Sequence, residues 1–203
     1  MNKILSILFV SISLIGCAQN RVSLTEITFD EEFVYYEGEL FNGIYFEVFK
    51  NGQLKFEITC KDGTLHGLSK AWFKNGQLNI EANYKDGTLH GLSKAWFENG
   101  QFKGEVNYKD GKMDGLFQKL YNNGQLEEES TYKDGKPYGL VRYYFKNGTL
   151  RHEVNFKDGN EDLVLRLYYD GLRNGQLEQE STYKDLKPDG LTKFWDENGQ
   201  LLL

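Results

Sequence analysis

The chain has 203 residues, 39% hydrophobic and 15% aromatic, with a formal charge of −6. It is apolar enough to order a fold, and its acidic lean argues against holding nucleic-acid phosphates or an anionic membrane, which call for clustered Lys and Arg. With 22 Gly, 13 Tyr and 14 Phe but only 2 Pro, the composition favours strands and tight turns over helices.

At the N-terminus Lys3 precedes an apolar run from Ile4 to Ile15, too short to cross a bilayer but suited to a secretory signal. The run ends Leu14-Ile15-Gly16-Cys17, which resembles the bacterial lipobox, although Ile15 stands where Ala or Ser is usual. The resemblance implies that residues 1–16 are a signal peptide, that Cys17 carries the lipid, and that the protein is exported and membrane-anchored on the periplasmic or cell-surface side. Several acyl chains on one cysteine anchor stably, at about 0.8 kcal/mol for each buried methylene. Residues 17–32 then read as a lipidated N-terminus and tether, with Val22, Leu24, Ile27 and Phe29 scattered through it, and residues 33–203 as repeats. Cys60 sits where later units have Tyr84, Tyr108 and Tyr132, so it reads as a small buried apolar side chain rather than a reactive thiol.

From there the chain repeats. Lys61–Tyr84 and Lys85–Tyr108 share 19 of 24 positions, and Asn-Gly pairs at 51, 75, 99, 123, 147, 174 and 198 are 24 residues apart except for one step of 27. A fixed period marks a repeat architecture. Gly67, Gly91, Gly115 and Gly139 open successive units, whereas Leu163 replaces the glycine in the unit that carries the three extra residues. Gly76, Gly100, Gly124 and Gly148 complete the Asn-Gly pairs, the strongest short-range hairpin signal.

The run after each pair alternates, as in Leu78, Ile80, Ala82 and Tyr84 against Gln77, Asn79, Glu81 and Asn83, so it predicts a strand with one dry face. A two-residue type I′ turn at Asn75-Gly76 would pair Phe73 with Leu78, Ala71 with Ile80 and Lys70 with Glu81. A three-residue turn with a bulged glycine would instead set Trp72 opposite Leu78. The first register is preferred because it pairs unlike charges, and those pairs recur as Lys94 with Glu105, Arg142 with Glu153 and Arg166 with Glu180. Gln118 with Glu129 is neutral, and Phe46 with Glu57 breaks the pattern. Successive glutamates of the column Glu81, Glu105, Glu129 and Glu153 would lie about 9–10 Å apart, too far for a shared proton or one cation, which makes the column a pairing device. Exchanging Lys70 and Glu81 is then expected to leave the thermal midpoint nearly unchanged.

Lys-Asp-Gly recurs at 61, 85, 109, 133 and 157 as the link between hairpins, with Asp and Gly supplying positive φ and Gly91 suiting a close backbone approach. The aspartates (Asp62, Asp86, Asp110, Asp134 and Asp158) are single, so they suit turns rather than calcium. His66 and His90 share a unit position without ligand spacing. No metal or cofactor is expected.

The pattern carried by Tyr84, Gly87, Gly91, Leu92, Phe97, Asn99, Gly100, Gln101 and Glu105 closely resembles the MORN-repeat variant of bacterial proteins often labelled YwqK-family antitoxins. The stretch YEGELFNG from Tyr36 looks like the standard MORN core. The resemblance implies an all-β, elongated ribbon of about seven consecutive antiparallel hairpins, used as a binding or spacing surface. Trp72, Trp96, Tyr144, Tyr168 and Trp195 in matching positions form a candidate contact stripe or a packing seam. No nucleophile elbow, phosphate loop or Cys/His set appears, and the repeated polar residues suit binding better than catalysis. The expected protein is a non-enzymatic, lipid-anchored extracytoplasmic scaffold for a protein or envelope partner. An antitoxin or immunity protein that occludes a toxin is the alternative, and self-association through the apolar face is a further expectation.

Overall fold

The computed structural model describes residues 20–156, 163–169, 175–185 and 187–202. The expected signal peptide, Cys17, Asp158 and Asn174 lie outside them. Within them the chain is strand and turn apart from one 3-10 turn, Leu24–Glu26. Strands pair antiparallel in chain order: Gly43–Val48 with Leu54–Lys61, then Gly67–Trp72, then Leu78–Lys85, and onward to Lys193–Phe194. The sheet is one long meander of hairpins, as the repeat implies.

Both hairpin ends differ in detail from the turn chemistry expected of them. At Asn75-Gly76 the Gly76 N–H donates to the Phe73 carbonyl at 2.9 Å, and the Phe73 N–H donates to Gln77 O at 2.8 Å. Only the glycine has positive φ, +86°. This is a three-residue loop closed by a bulged glycine, not a type I′ turn. It sets Trp72 opposite Leu78, but an irregularity between Ala71 and Trp72, which takes in Asn79, restores Ala71 with Ile80 and Lys70 with Glu81. The body of the hairpin therefore keeps the expected register, while Leu78 changes face. The bulged loop leaves the asparagine side chain free for two bonds. Asn75 Oδ1 accepts the Gln77 N–H at 3.0 Å, and Nδ2 donates to Glu98 O of the next hairpin at 2.7 Å. Asn51 and Asn123 reach Lys74 O and Lys146 O in the same way, at 2.9 and 2.7 Å.

The two-residue turn stands at the other end. Asp62 and Gly63 have φ of +49° and +76°, and Lys61 pairs directly with Thr64. The stretch expected to be a link is thus a tight hairpin of its own. These turns also stack, with the Gly87, Gly111 and Gly135 N–H groups each donating at 2.9 Å to Leu65 O, Leu89 O and Met113 O. The Asp-Gly edge is therefore stitched repeat to repeat, and the Asn-Gly edge at Asn51, Asn75 and Asn123. At Gly91 it is φ of +86° and not crowding that demands glycine, since a Cβ there would meet only Asn83 Cβ at 3.8 Å.

The N-terminal segment is more than a tether. Asn20–Ser23 adds a parallel strand beside Gly43–Val48, and Ile27–Phe29, Val34–Tyr36 and Glu39–Leu40 form a small second sheet. Tyr36-Glu37-Gly38-Glu39, the stretch resembling a MORN core, makes the hairpin turn of that sheet, with φ of +52° and +85° at its centre. Ile27, Val34 and Phe41 close over Tyr45 and Cys60 as a core. The Val34 N–H donates to Gly63 O at 2.8 Å and the Gly63 N–H to Phe41 O at 3.0 Å, which fixes this cap to the first Asp-Gly turn. Burial pushes the Cys60 thiol up to about 11, in keeping with an apolar role.

Candidate binding faces

Alternation along each strand divides the ribbon into two faces. On one, a single row crosses the sheet: Glu57, Lys70, Glu81, Lys94, Glu105, Gln118, Glu129, Arg142, Glu153, Arg166, Glu180 and Lys193, each opposite the next. The pairing expected within hairpins thus continues between them. Lys70 lies 3.1 Å from Glu81; Arg166 bridges Glu153 at 3.2 Å and Glu180 at 2.8 Å; Lys193 reaches Glu180 at 3.2 Å. At Phe46, where the pattern breaks, Arg21 of the N-terminal strand lies over the ring at 4.4 Å and binds Glu57.

The continuous row changes the expected result of one exchange. Lys70→Glu with Glu81→Lys would set like charges against Glu57 and Lys94, so the pair is not interchangeable. The hydrogen bond from Arg166 holds the Glu180 carboxyl below its ordinary value.

Trp72, Trp96, Tyr144, Tyr168 and Trp195 lie on this ionic face at its Asn-Gly end, all half-buried. Each faces an apolar partner, Leu78, Phe102, Leu150, Leu177 and Leu201 respectively. Trp96 meets Phe102 edge-on at 6.0 Å, and Tyr168 donates to Glu153 Oε1 at 3.1 Å. The stripe therefore closes the hairpin ends and also presents one aromatic edge to solvent in most repeats.

On the opposite face Ser69, Ala82, Ser93, Ser130, Val141 and Ser181 are buried along the midline. Beside them runs a row that changes character: Phe56, Ala71, Ile80, Ala95 and Gly104 are apolar or small, and Lys119, Glu128, Tyr143 and His152 follow. The Tyr143 ring stacks on His152 at 4.4 Å, and Ser130 Oγ donates to Glu128 Oε1 at 3.4 Å. Burial raises the Glu128 carboxyl, pushes the Tyr143 phenol up to about 12 and lowers His152. This polar cluster occurs once in the described repeats and was missed in the sequence, where every polar candidate looked periodic or isolated. Comparing the aligned positions Ala71, Ala95, Lys119 and Tyr143 is the signal that exposes it. Along the Asp-Gly edge, His66 and His90 lie 3.4 and 3.3 Å from Asp86 and Asp110.

Hairpins of fixed length in series, each bonded only to its neighbours, define a β-repeat protein. The MORN repeat variant pattern matches residues 65–86, 89–110, 113–134, 137–158, 172–185 and 188–203, more than half of the chain, and the first three matches each span from one Asp-Gly turn to the next. The chain belongs to the MORN repeat variant family. No curated protein matches it.

Proposed function

We propose that this chain is a lipid-anchored envelope protein that acts by binding, not by catalysis, and offers its ionic face to a protein or envelope partner. The observation that carries this reading is the row of alternating charges, neutral only at Gln118, with an aromatic stripe beside it. Such a face repeats the same contact every two strands, about 9–10 Å, so weak contacts sum across units. The anchor and export rest on the lipobox-like run ending at Cys17.

The test is lipid labelling and membrane fractionation of wild type and Cys17→Ala, with crosslinked partners identified by mass spectrometry. Wild type is expected to take up lipid and to pellet with membranes, and Cys17→Ala to do neither. Normal processing and membrane retention of Cys17→Ala would sink the lipoprotein reading. Trp72→Ala with Trp96→Ala is expected to weaken partner crosslinking while the meander is retained by circular dichroism. A captured toxin that is neutralised on co-expression with cytoplasmic Cys17→Ser protein would replace the scaffold reading with occlusion by an antitoxin.

A further inference from the structure

The face opposite the stripe is capped by the N-terminal sheet at one end and open over the hairpins that follow. There Ser93, Ala95 and Gly104 form the floor of a groove of ≈ 410 Å³, with Ile80 and Phe117 among its walls. The floor is low by construction. A Cβ on Gly104 would lie 2.3 Å from Gln118 O of the adjoining strand, so the backbone pairing itself excludes a side chain at that point. Ile80 is left 44% exposed, an apolar wall that no second layer covers among the described residues.

Two polar features accompany the depression. Ser93 Oγ is buried with no hydrogen-bond partner among the described residues. Its unit counterpart Ser69 accepts the Thr59 N–H, and the other buried serines of the midline are engaged as well, Ser130 with Glu128 and Ser181 with Thr192. An orphaned buried hydroxyl is costly, and a bound polar atom would offset that cost. At the rim, the Lys103 ammonium rests 5.7 Å over the Phe97 ring and pairs with no carboxylate among the described residues, whereas Lys119 is held by Glu127 at 2.7 Å.

We propose that this groove binds a small amphiphilic anion, an aliphatic or aromatic carboxylate whose apolar body lies over Ala95 and Gly104 and whose acid group is neutralised at Lys103. Shape fixes the body and charge fixes the end. The site is on the other face from the stripe, so its failure leaves the proposed partner surface untouched.

The test is calorimetric titration of the full chain with decanoate, and in parallel with decyltrimethylammonium. Decanoate is expected to saturate a single site that the cation does not share. Ala95→Phe, which fills the floor, is expected to weaken decanoate about tenfold or more. Lys103→Glu is expected to weaken it about threefold or more, with an unchanged melting curve. Should Ala95→Phe fail to fold, Ile80→Asp at the half-exposed wall carries the same expectation. Equal binding of the two ligands, or decanoate affinity unmoved by both groove variants, would overturn the proposal. So would a wild-type dimer that dissociates in Ala95→Phe, which would make a second copy the occupant.

Discussion

The first hairpin and the pair after it share turns, register and an ionic row, yet they are stabilised differently. Around Tyr45 and Cys60 the face carries a second layer, and Phe41 at its centre is 2% exposed. Around Ile80 and Gly104 no second layer stands among the described residues, and the face is a groove. A one-layer sheet gains a core only from what is laid on it. Where nothing is laid on it, the ladder, the stitched turns and small buried side chains must hold it together.

The largest contrast is expected from truncating one apolar side chain in each region. Phe41→Ala should cost about 3–5 kcal/mol in denaturant unfolding, by transfer and cavity terms together. Ile80→Ala should cost only about 1 kcal/mol, because Ile80 is 44% exposed and only about half of what is removed leaves water on folding. Equal losses would mean the groove is covered in solution.

Next in size is a change that overpacks. Gly104→Val should cost about 1–3 kcal/mol by pushing on the Gln118 carbonyl. Gly87→Ala meets nothing within 4 Å and should cost only its backbone strain at φ of +80°, about 1–2 kcal/mol.

The double exchange Lys70→Glu with Glu81→Lys should destabilise by about 0.5–1 kcal/mol, and the loss should shrink at high salt. No loss at low salt would show that the row is not continuous between hairpins. Asn75→Ala, which removes one stitch to Glu98 O, should cost about 1 kcal/mol.

The smallest effect concerns pH. Burial lowers the folded pKa of His152 below its ordinary 6.5, so the unfolded chain binds the proton first. Stability should therefore fall as pH drops below about 6.5 toward the folded value. His152→Phe, which retains a ring against Tyr143, should flatten that slope and leave stability above pH 7 unchanged in urea titrations.

Much of this was legible in the chain. The 24-residue period and its Asn-Gly pairs specify a hairpin meander, and unlike charges at Lys70 and Glu81 specify its register. The turn types were not legible, because Asn-Gly and Asp-Gly are both competent for a type I′ turn. What separates them is local: the Asn75 Oδ1 accepts the Gln77 N–H two residues on, as Asn99, Asn123 and Asn147 accept from Gln101, Gln125 and Thr149, and the bulged loop recurs with that bond. The N-terminal cap was hidden because Ile27 precedes the repeats and follows no period, and its purpose appears only when it meets Val34, Phe41 and Cys60. The groove and the polar cluster were hidden because pairing between hairpins lines up positions that a unit-by-unit reading keeps apart.

Native-state hydrogen exchange on the full chain tests the central contrast most directly. The amides of Val34, Phe41 and Gly63, which bond within the cap, should exchange only through global unfolding. Those of the strands lining the groove should open locally, with lower free energies. Protection as strong around Ala95 and Gly104 as around Phe41 would contradict an uncapped face and place a second layer there.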